Sequence, residues 1–422
     1  MAETIVPQTT TLDVVKSGPT WLERTARKKL LEKLANLRDG GLTIIDEGQK
    51  WQLGDLSSTD CQATINVHSP RFYRRLALGG SIGVAESYVL GEWSCDDLIS
   101  LVRIFIRNRE LGDEIEGPLS TLGRWIARRW HEVRENSKDG SRNNIHAHYD
   151  LGNDFYSLFL DETMTYSSGI FESPESTLQE ASVEKLDRIC RKLDLKPTDH
   201  VCEIGTGWGG FAIHAAKTYG CRITTTTISN EQYKFASEKI KAEGLEDRIT
   251  ILLDDYRDLT GQFDKLVSIE MIEAVGHRYF DTYFGKCSEL LKPDGMMVLQ
   301  GITMSEQRYQ QYLKSCDFIQ RYIFPGGCLV SVTAMNESVT RSTDMRMVHL
   351  EDFAQHYAQT LNHWRQRFFD RISDVRQLGY SDNFIRLWEY YLCYCEAAFL
   401  ERAVGVVQMH LAKPRCFHDV AV

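Results

Sequence analysis

The stretch Glu203-Ile204-Gly205-Thr206-Gly207-Trp208-Gly209-Gly210 constrains the fold of this chain more than any other. It follows an apolar run, 200–204, whose composition predicts a strand, and it opens a predicted helix over 211–218. Glycines at such a turn let the backbone approach a ligand closely, and the helix N-terminus offers free N–H groups. On either side the pattern alternates. Helices are predicted over 177–193 and 231–243, and strands over 222–228, 249–253, 265–269 and 296–301. That order belongs to a doubly wound α/β domain, in which ligands sit outside the carboxyl ends of the strands. Residues 345–412 read as a return to helix, rich in aromatic side chains from Tyr357 to Phe399.

A glycine loop of this kind has three readings: a bare strand–helix turn, a dinucleotide cradle, or the nucleotide loop of a methyltransferase. Two features favour the third. Glu203 stands two residues before the first glycine, where methyltransferase loops place an acid. Trp208 lies inside the turn, whereas a pyrophosphate cradle needs small residues there.

The rest of the chain narrows the function class. No run of about 18 apolar residues occurs, so no transmembrane helix is expected. The first residues, MAETIVPQTTTLDVV, lack the basic and apolar segments of a secretory signal. The eleven cysteines are scattered and form no CxxC pair, which suits reduced thiols in a cytosol. The net charge of −10 falls entirely beyond residue 145. An acidic main body is a poor nucleic-acid binder, so no nucleic acid is expected as partner. Basic residues cluster locally, at Arg24, Arg27, Lys28, Lys29, Lys33 and Arg38 and at Arg124, Arg128 and Arg129. Such clusters suit solvated helix faces or contact with anionic lipid headgroups. His146 and His148 form an HxH pair without acidic or cysteine partners at ligand spacing, and no metal site is expected.

The N-terminal part reads as a small α+β module. Leucines from Leu22 to Leu37 recur at helical spacing, strands are predicted near 42–45 and 63–67, and a helix over 71–77 ends at Gly79-Gly80. Another helix is predicted over 96–107. The expected division is a small lipid-associated domain over 1–107, a polar linker over 108–145 containing one amphipathic helix, and a catalytic domain over 146–422.

Several ordered stretches then carry a family resemblance: HYDLGNDFYSLFLDETMTYSSGIF (148–171), EIGTGWGGFA (203–212), TTISNEQ (226–232), DDYRD (254–258), FDKLVSIEMIEAVGH (263–277), YIFPGGCLVS (322–331), HYAQTLNHW (356–364) and YYLCYCEAAF (390–399). Together with NVHSPRFYRRLALGGSIGVAESYVLGEWSCDDL (66–98), they resemble the cyclopropane-fatty-acyl-phospholipid synthase family over nearly all of 60–410. The resemblance implies a Rossmann-like, doubly wound methyltransferase domain for S-adenosylmethionine (SAM), with a smaller α+β N-terminal domain and helical C-terminal additions. It also implies the activity: transfer of the methyl carbon of SAM to the double bond of an unsaturated acyl chain in a phospholipid, forming a cyclopropane.

The resemblance assigns SAM contacts to Gly205, Gly207 and Gly209 beside Glu203, to Tyr166 and Ser167, to Thr227, Ile228 and Gln232, and to Asp255 and Tyr256. It implies a bicarbonate ion as base, held by Glu273 and Tyr357 with backbone of Ser168 and Ile302, and it matches Cys395 to an active-site cysteine. Read without the resemblance, Glu273 is a strand-end surface acid, Tyr256 a packed aromatic and Cys395 a packed helix cysteine. Two departures stand out. Ser168 replaces the family's cysteine, in a role assigned to the backbone. Gln300 replaces the histidine that holds bicarbonate, and glutamine donates a hydrogen bond without carrying charge. Ring closure is therefore open against a methyl- or methylene-branched product, a step towards a furan fatty acid, or a non-catalytic lipid-binding relative. The implied partners are an unsaturated phospholipid at a membrane surface and a second copy of the chain, with the protein in the cytoplasm at the inner membrane face.

Overall fold

In a computed structural model of the protein, residues 18–57, 60–110 and 151–417 are described. The Leu122–Trp130 amphipathic pattern, the second basic cluster, His146, His148 and nearly all of the expected linker lie outside them. Two compact units emerge. Among the described residues, the first comprises 18–57, 60–110, 314–325 and 371–403; the second comprises 151–313, 326–370 and 404–417. The expected catalytic domain, continuous from 146 to 422, is thus interrupted twice by segments that belong with the N-terminal module.

The first unit opens with α1 (Trp21–Leu34), started by a capping box in which Thr20 and Glu23 bond each other's backbone. A four-stranded sheet of order β2-β1-β3-β4 follows, built from β1 (Gly41–Asp46), β2 (Gln49–Gly54), β3 (Gln62–Val67) and β4 (Trp93–Cys95). The β1–β2 turn is Glu47-Gly48, both at positive φ, as a two-residue hairpin turn requires. Helix α2 (Arg71–Val89) continues past the expected stop, but Gly80 breaks its helical dihedrals at φ 57° and ψ −137°. Asp97 caps α3 (Leu98–Arg107). The long helix Asp382–Leu400 packs on α2 and α3, which explains its place in this unit: the Tyr88 hydroxyl donates to Glu389 at 2.6 Å, and Arg103 reaches Glu401 at 2.7 Å.

The second unit is built on a seven-stranded sheet of order β10-β11-β9-β8-β5-β6-β7. Strands β5 (His200–Ile204), β6 (Arg222–Thr226), β7 (Ile249–Leu252), β8 (Phe263–Ile269) and β9 (Leu291–Met304) are parallel. The unit's longer helices are α4 (Leu178–Lys192), α5 (Gly210–Tyr219), α6 (Asn230–Ala242), α7 (Phe280–Leu290), α8 (Val332–Ser342) and α9 (Ala354–Asp370). The core alternates by strand position. Cys202, Ile204, Leu266, Met297 and Leu299 pack with α7 and α8 residues, whereas Val201, Val267, Met296 and Val298 pack with residues of α4 and α5. The fold is therefore doubly wound α/β, as expected. The all-helical reading of 345–412 needs correction at both ends. Residues β10 (Arg346–Asp352) and β11 (Val404–Ala412) are strands that pair antiparallel at the sheet's edge. The run Val404-Gly405-Val406-Val407 carries the β-branched signal, which the aromatic helices beside it obscured.

The chain runs β5, β6, β7 towards one edge and then returns to place β8 on the other side of β5. The reversal puts the topological switch point between β5 and β8, where the crevice at the strands' carboxyl ends can hold a ligand.

Candidate active site

The glycine loop leaves β5 at this switch point. Gly205, Gly207 and Gly209 have φ of 103°, 53° and 87°, a region costly for other residues. The Gly205 and Thr206 amides donate to the Thr226 carbonyl at 3.1 and 3.0 Å, which ties the loop to the end of β6. Each glycine has its own steric setting. A Cβ on Gly205 would meet Met271 at 3.3 Å and one on Gly209 would meet Ala236 at 3.4 Å, but one on Gly207 would meet nothing within 4 Å. The loop thus presents open space at Gly207 beside the N-terminus of α5, a fit for a bound nucleoside. Trp208 does not enter that space. It is buried, donates to Asn153 at 2.7 Å and packs 5.0 Å from Tyr156, in an aromatic cluster with Phe159, Tyr166 and Trp364.

The other assigned cofactor residues lie along the same carboxyl edge. Glu203 is buried and accepts from Thr225 at 2.5 Å; burial pushes its carboxyl up to about 8. After β6, Thr227 donates to Gln232 at 2.9 Å and Ile228 is half-buried. After β7, Asp255 is buried and chelated by Arg257 at 2.7 Å through each oxygen, and Tyr256 stands edge-on to Tyr283 at 5.5 Å. Ser167 accepts from Lys185 at 2.8 Å, and the Tyr166 ring lies 5.1 Å from Trp364. Lys185 is buried on α4, and burial lowers it to about 8.

A residue not singled out in the sequence lies at the centre of the polar cluster. Glu270 follows β8 with φ 48°, a left-handed conformation uncommon for glutamate, and its amide donates to the Gln300 carbonyl at 2.7 Å. Its Oε1 accepts from the Ser168 amide at 2.9 Å and from Gln300 Nε2 at 2.7 Å, and its Oε2 accepts from the Tyr357 hydroxyl at 2.6 Å. Ser168 takes part through its backbone while its hydroxyl turns to the Gly169 carbonyl at 3.0 Å. Burial raises the Glu270 carboxyl above its ordinary value, against the pull of these three donors.

Glu273 lies beside it. Its Oε1 accepts from the Ile302 amide at 2.5 Å, and its Oε2 is buried without a hydrogen-bond partner. Burial, and then the neighbouring Glu270 charge, push Glu273 up to about 8. The Glu270 charge thus works against ionisation of Glu273, so the two carboxyls do not both ionise freely.

The orientation of Gln300 is set from behind. Gln300 Oε1 accepts from Gln408 Nε2 at 3.1 Å, and Gln408 Oε1 accepts from Lys192 Nζ at 2.7 Å. Lys192 in turn pairs with Glu351 of β10, as does Arg188. Because an ammonium can only donate, both amides are fixed and Gln300 must offer N–H to Glu270. Gln300 and Gln408 are fully buried. Cys395 belongs to the helix Asp382–Leu400 of the first unit, where burial raises its thiol well above the ordinary value. No group of three metal-ligating side chains occurs among the described residues. The sequence did carry one signal for Glu270, an acid immediately after an apolar parallel strand; Lys185 and Lys192 were hidden as ordinary charges of an amphipathic helix.

Comparison with known proteins places this geometry among relatives. The model of the mycolic acid cyclopropane synthetase family matches residues 136–409. The chain is 38% identical over 359 residues to the tuberculostearic acid methyltransferase UfaA1 of Mycobacterium tuberculosis, covering 82% of each chain. It is 36% identical over 356 residues to the cyclopropane-fatty-acyl-phospholipid synthase of Escherichia coli, covering 82% of this chain and 87% of that one. Among solved structures, mycolic acid cyclopropane synthase CmaA1 complexed with SAH and CTAB superposes with a TM-score of 0.61 at 30% identity, over 64% of this chain and 98% of that one.

Two outcomes follow from the site. Gly207→Val should abolish SAM binding, because the branched side chain would fill the open space and force β-branched backbone to φ 53°; titration calorimetry of the folded variant showing unchanged affinity would contradict it. The folded protein also keeps a proton on Glu273 up to about pH 8 that an unfolded glutamate releases near 4.5. That contribution to stability is full below the unfolded value and lost as pH rises through the folded one. Glu273→Gln is neutral throughout, so its denaturant midpoints should fall less than the parent's between roughly pH 5 and 8. Parallel pH profiles would contradict the shift.

Proposed function

This chain belongs to the mycolic acid cyclopropane synthetase family and is a SAM-dependent methyltransferase, and from that premise we propose that its acceptor is the double bond of an unsaturated acyl chain in a phospholipid, with a cyclopropane as product. The observation that carries the reading is the carboxylate pair Glu270 and Glu273, set among aromatic rings beside the glycine loop. SAM, when bound, supplies an electrophilic sulfonium methyl. The glycine loop and the ends of β6 and β7 would hold it, through Gly205, Gly207, Gly209, Thr227, Gln232 and Asp255. An alkene is a weak nucleophile and its alkylation leaves positive charge on the acyl chain. Tyr166, Trp364 and Tyr357 form a continuous set of rings, at 5.1 and 6.1 Å, whose faces suit a nearby cation. Closing a ring requires a proton to leave the added methyl, and a carboxylate is the group that can accept it.

A methyl- or methylene-branched acyl chain is the second reading, favoured by the likeness to a tuberculostearic acid methyltransferase. The test is incubation with SAM and vesicles of unsaturated phospholipid, followed by proton NMR of the recovered lipid. High-field ring protons are expected; new methyl-branch or exocyclic =CH2 signals without ring protons would establish the second reading, and absence of SAM turnover would reject the lipid acceptor.

A lipid substrate requires contact with a membrane, and no helix among the described residues is long and apolar enough to cross one. The α1 surface is the candidate for reversible docking at the cytoplasmic face. Trp21 is 73% exposed and Arg24, Lys28 and Lys29 are exposed beside it. Each cation is worth about 1 kcal/mol at an anionic surface, so replacing Lys28 and Lys29 by alanine should weaken vesicle binding roughly thirty-fold at low salt. SAM binding should not change. Equal vesicle affinity in a flotation assay would exclude this surface.

A further inference from the structure

The groups expected to hold a bicarbonate ion are already engaged. The Ser168 amide, the Gln300 side-chain amide and the Tyr357 hydroxyl converge on Glu270, and the Ile302 amide is taken by Glu273. A free anion there would find its donors spent on the chain's own carboxylates. It would also lie against a like charge, which Coulomb repulsion disfavours in a buried site. The residues present therefore do not fit a bound bicarbonate.

We infer that Glu270 is itself the catalytic base, a tethered carboxylate standing where an exchangeable anion would otherwise be recruited. This rests on the alkene-methylation reading above. The step balances without any further reactant. Once the methyl carbon is bonded to one alkene carbon, the other carries the positive charge. Glu270 takes a proton from the new methyl, its O–H bond forming as the C–H bond breaks. The C–H electron pair closes onto the cationic carbon and completes the ring. Glu270 is left as the neutral acid and loses its proton to solvent before the next turnover. The lipid gains one CH2, and nothing is oxidised or reduced.

Three aspects of the structure suit this role. The left-handed backbone at Glu270 turns its side chain into the cluster at the switch point, next to Met271, which abuts Gly205 of the cofactor loop. Three donors hold the carboxylate in one position, so no entropy is spent capturing a diffusible base. Gln300 completes the logic. A protonated histidine suits the capture of a loose anion, whereas a covalently attached one needs only an oriented hydrogen bond, which the Lys192–Gln408–Gln300 relay supplies. Glu273 is the competing candidate, but a single amide donor and a partnerless oxygen favour its neutral form, which cannot accept a proton.

The decisive variant is Glu270→Gly, since glycine accepts φ 48° without strain and vacates all three donors. Bicarbonate should not bind the parent protein in calorimetric titration, and should bind the variant. In carbon-dioxide-free buffer the parent should keep its full rate on unsaturated phospholipid vesicles, and Glu270→Gly should lose at least about a hundred-fold in kcat, the usual scale for a lost general base. Added bicarbonate should restore much of that loss. Glu270→Gln keeps the shape and the space, and should be inactive without rescue. SAM affinity, measured alongside, should be unchanged in both variants. Bicarbonate binding to the parent, a parent rate that falls when bicarbonate is removed, or either variant working at the parent rate would overturn the assignment. Should the parent fail on the lipid, the acceptor reading falls by itself. The titration then decides Glu270 alone: binding to the variant only supports it, and equal binding to both overturns it.

Discussion

A carboxylate removed from water must be met by donors, and in this protein the demand of Glu270 organises the second unit. Its three partners come from different places: the segment before α4, strand β9 and helix α9. The demand propagates outward. Gln300 can donate only because Gln408 of β11 occupies its oxygen, and Gln408 is fixed only because Lys192 of α4 holds it against the Glu351 pair on β10. One charge is thereby linked to the antiparallel edge strands through Gln300 and Gln408, which stand opposite each other on β9 and β11. Leaving any of these buried groups unpaired costs about 1–3 kcal/mol, more if charged, so the network tends to form as a unit or not at all.

The same constraint explains the neighbouring protonation states. Glu203, Glu270 and Glu273 are all shifted upward by burial, and Lys185 is shifted downward by the same cause. Burial thus favours the neutral form of each group, protonated for the acids and deprotonated for the lysine, and hydrogen bonds decide where charge remains. Three donors favour it on Glu270. The switch point then does the rest, since the ends of β5 and β8 bring the cofactor loop and the carboxylate together.

Much of the fold was legible because its signals are local. The apolar run before Gly205, the β-branched run at Arg222–Thr226 and the leucine spacing of α1 each announce themselves within a few positions. What escaped is non-local. The helix Asp382–Leu400 reads like any amphipathic aromatic helix, and only its contacts with α2 and α3 assign it to the first unit. Strand β10 is half-exposed and polar, so its pairing with β11 leaves little trace in composition. In the site, SIEMIEAVG offers two glutamates three apart. Family resemblance points to Glu273, and nothing in the sequence reveals that a left-handed turn at the strand end aims Glu270 at three donors. Trp208 was rightly anomalous for a pyrophosphate loop, but its reason, the Asn153 bond and the Tyr156 contact, lies about fifty residues away.

The central claim is that a fixed carboxylate removes a proton from the transferred methyl. Isotopic retention tests this most directly. Reaction with SAM carrying a trideuterated methyl, followed by mass spectrometry of the product acyl chain, reports how many of the three labels survive. The account predicts that two remain, whether the pair left behind closes a ring or forms a methylene branch. Retention of all three would mean that the proton is lost elsewhere on the chain, and would contradict it.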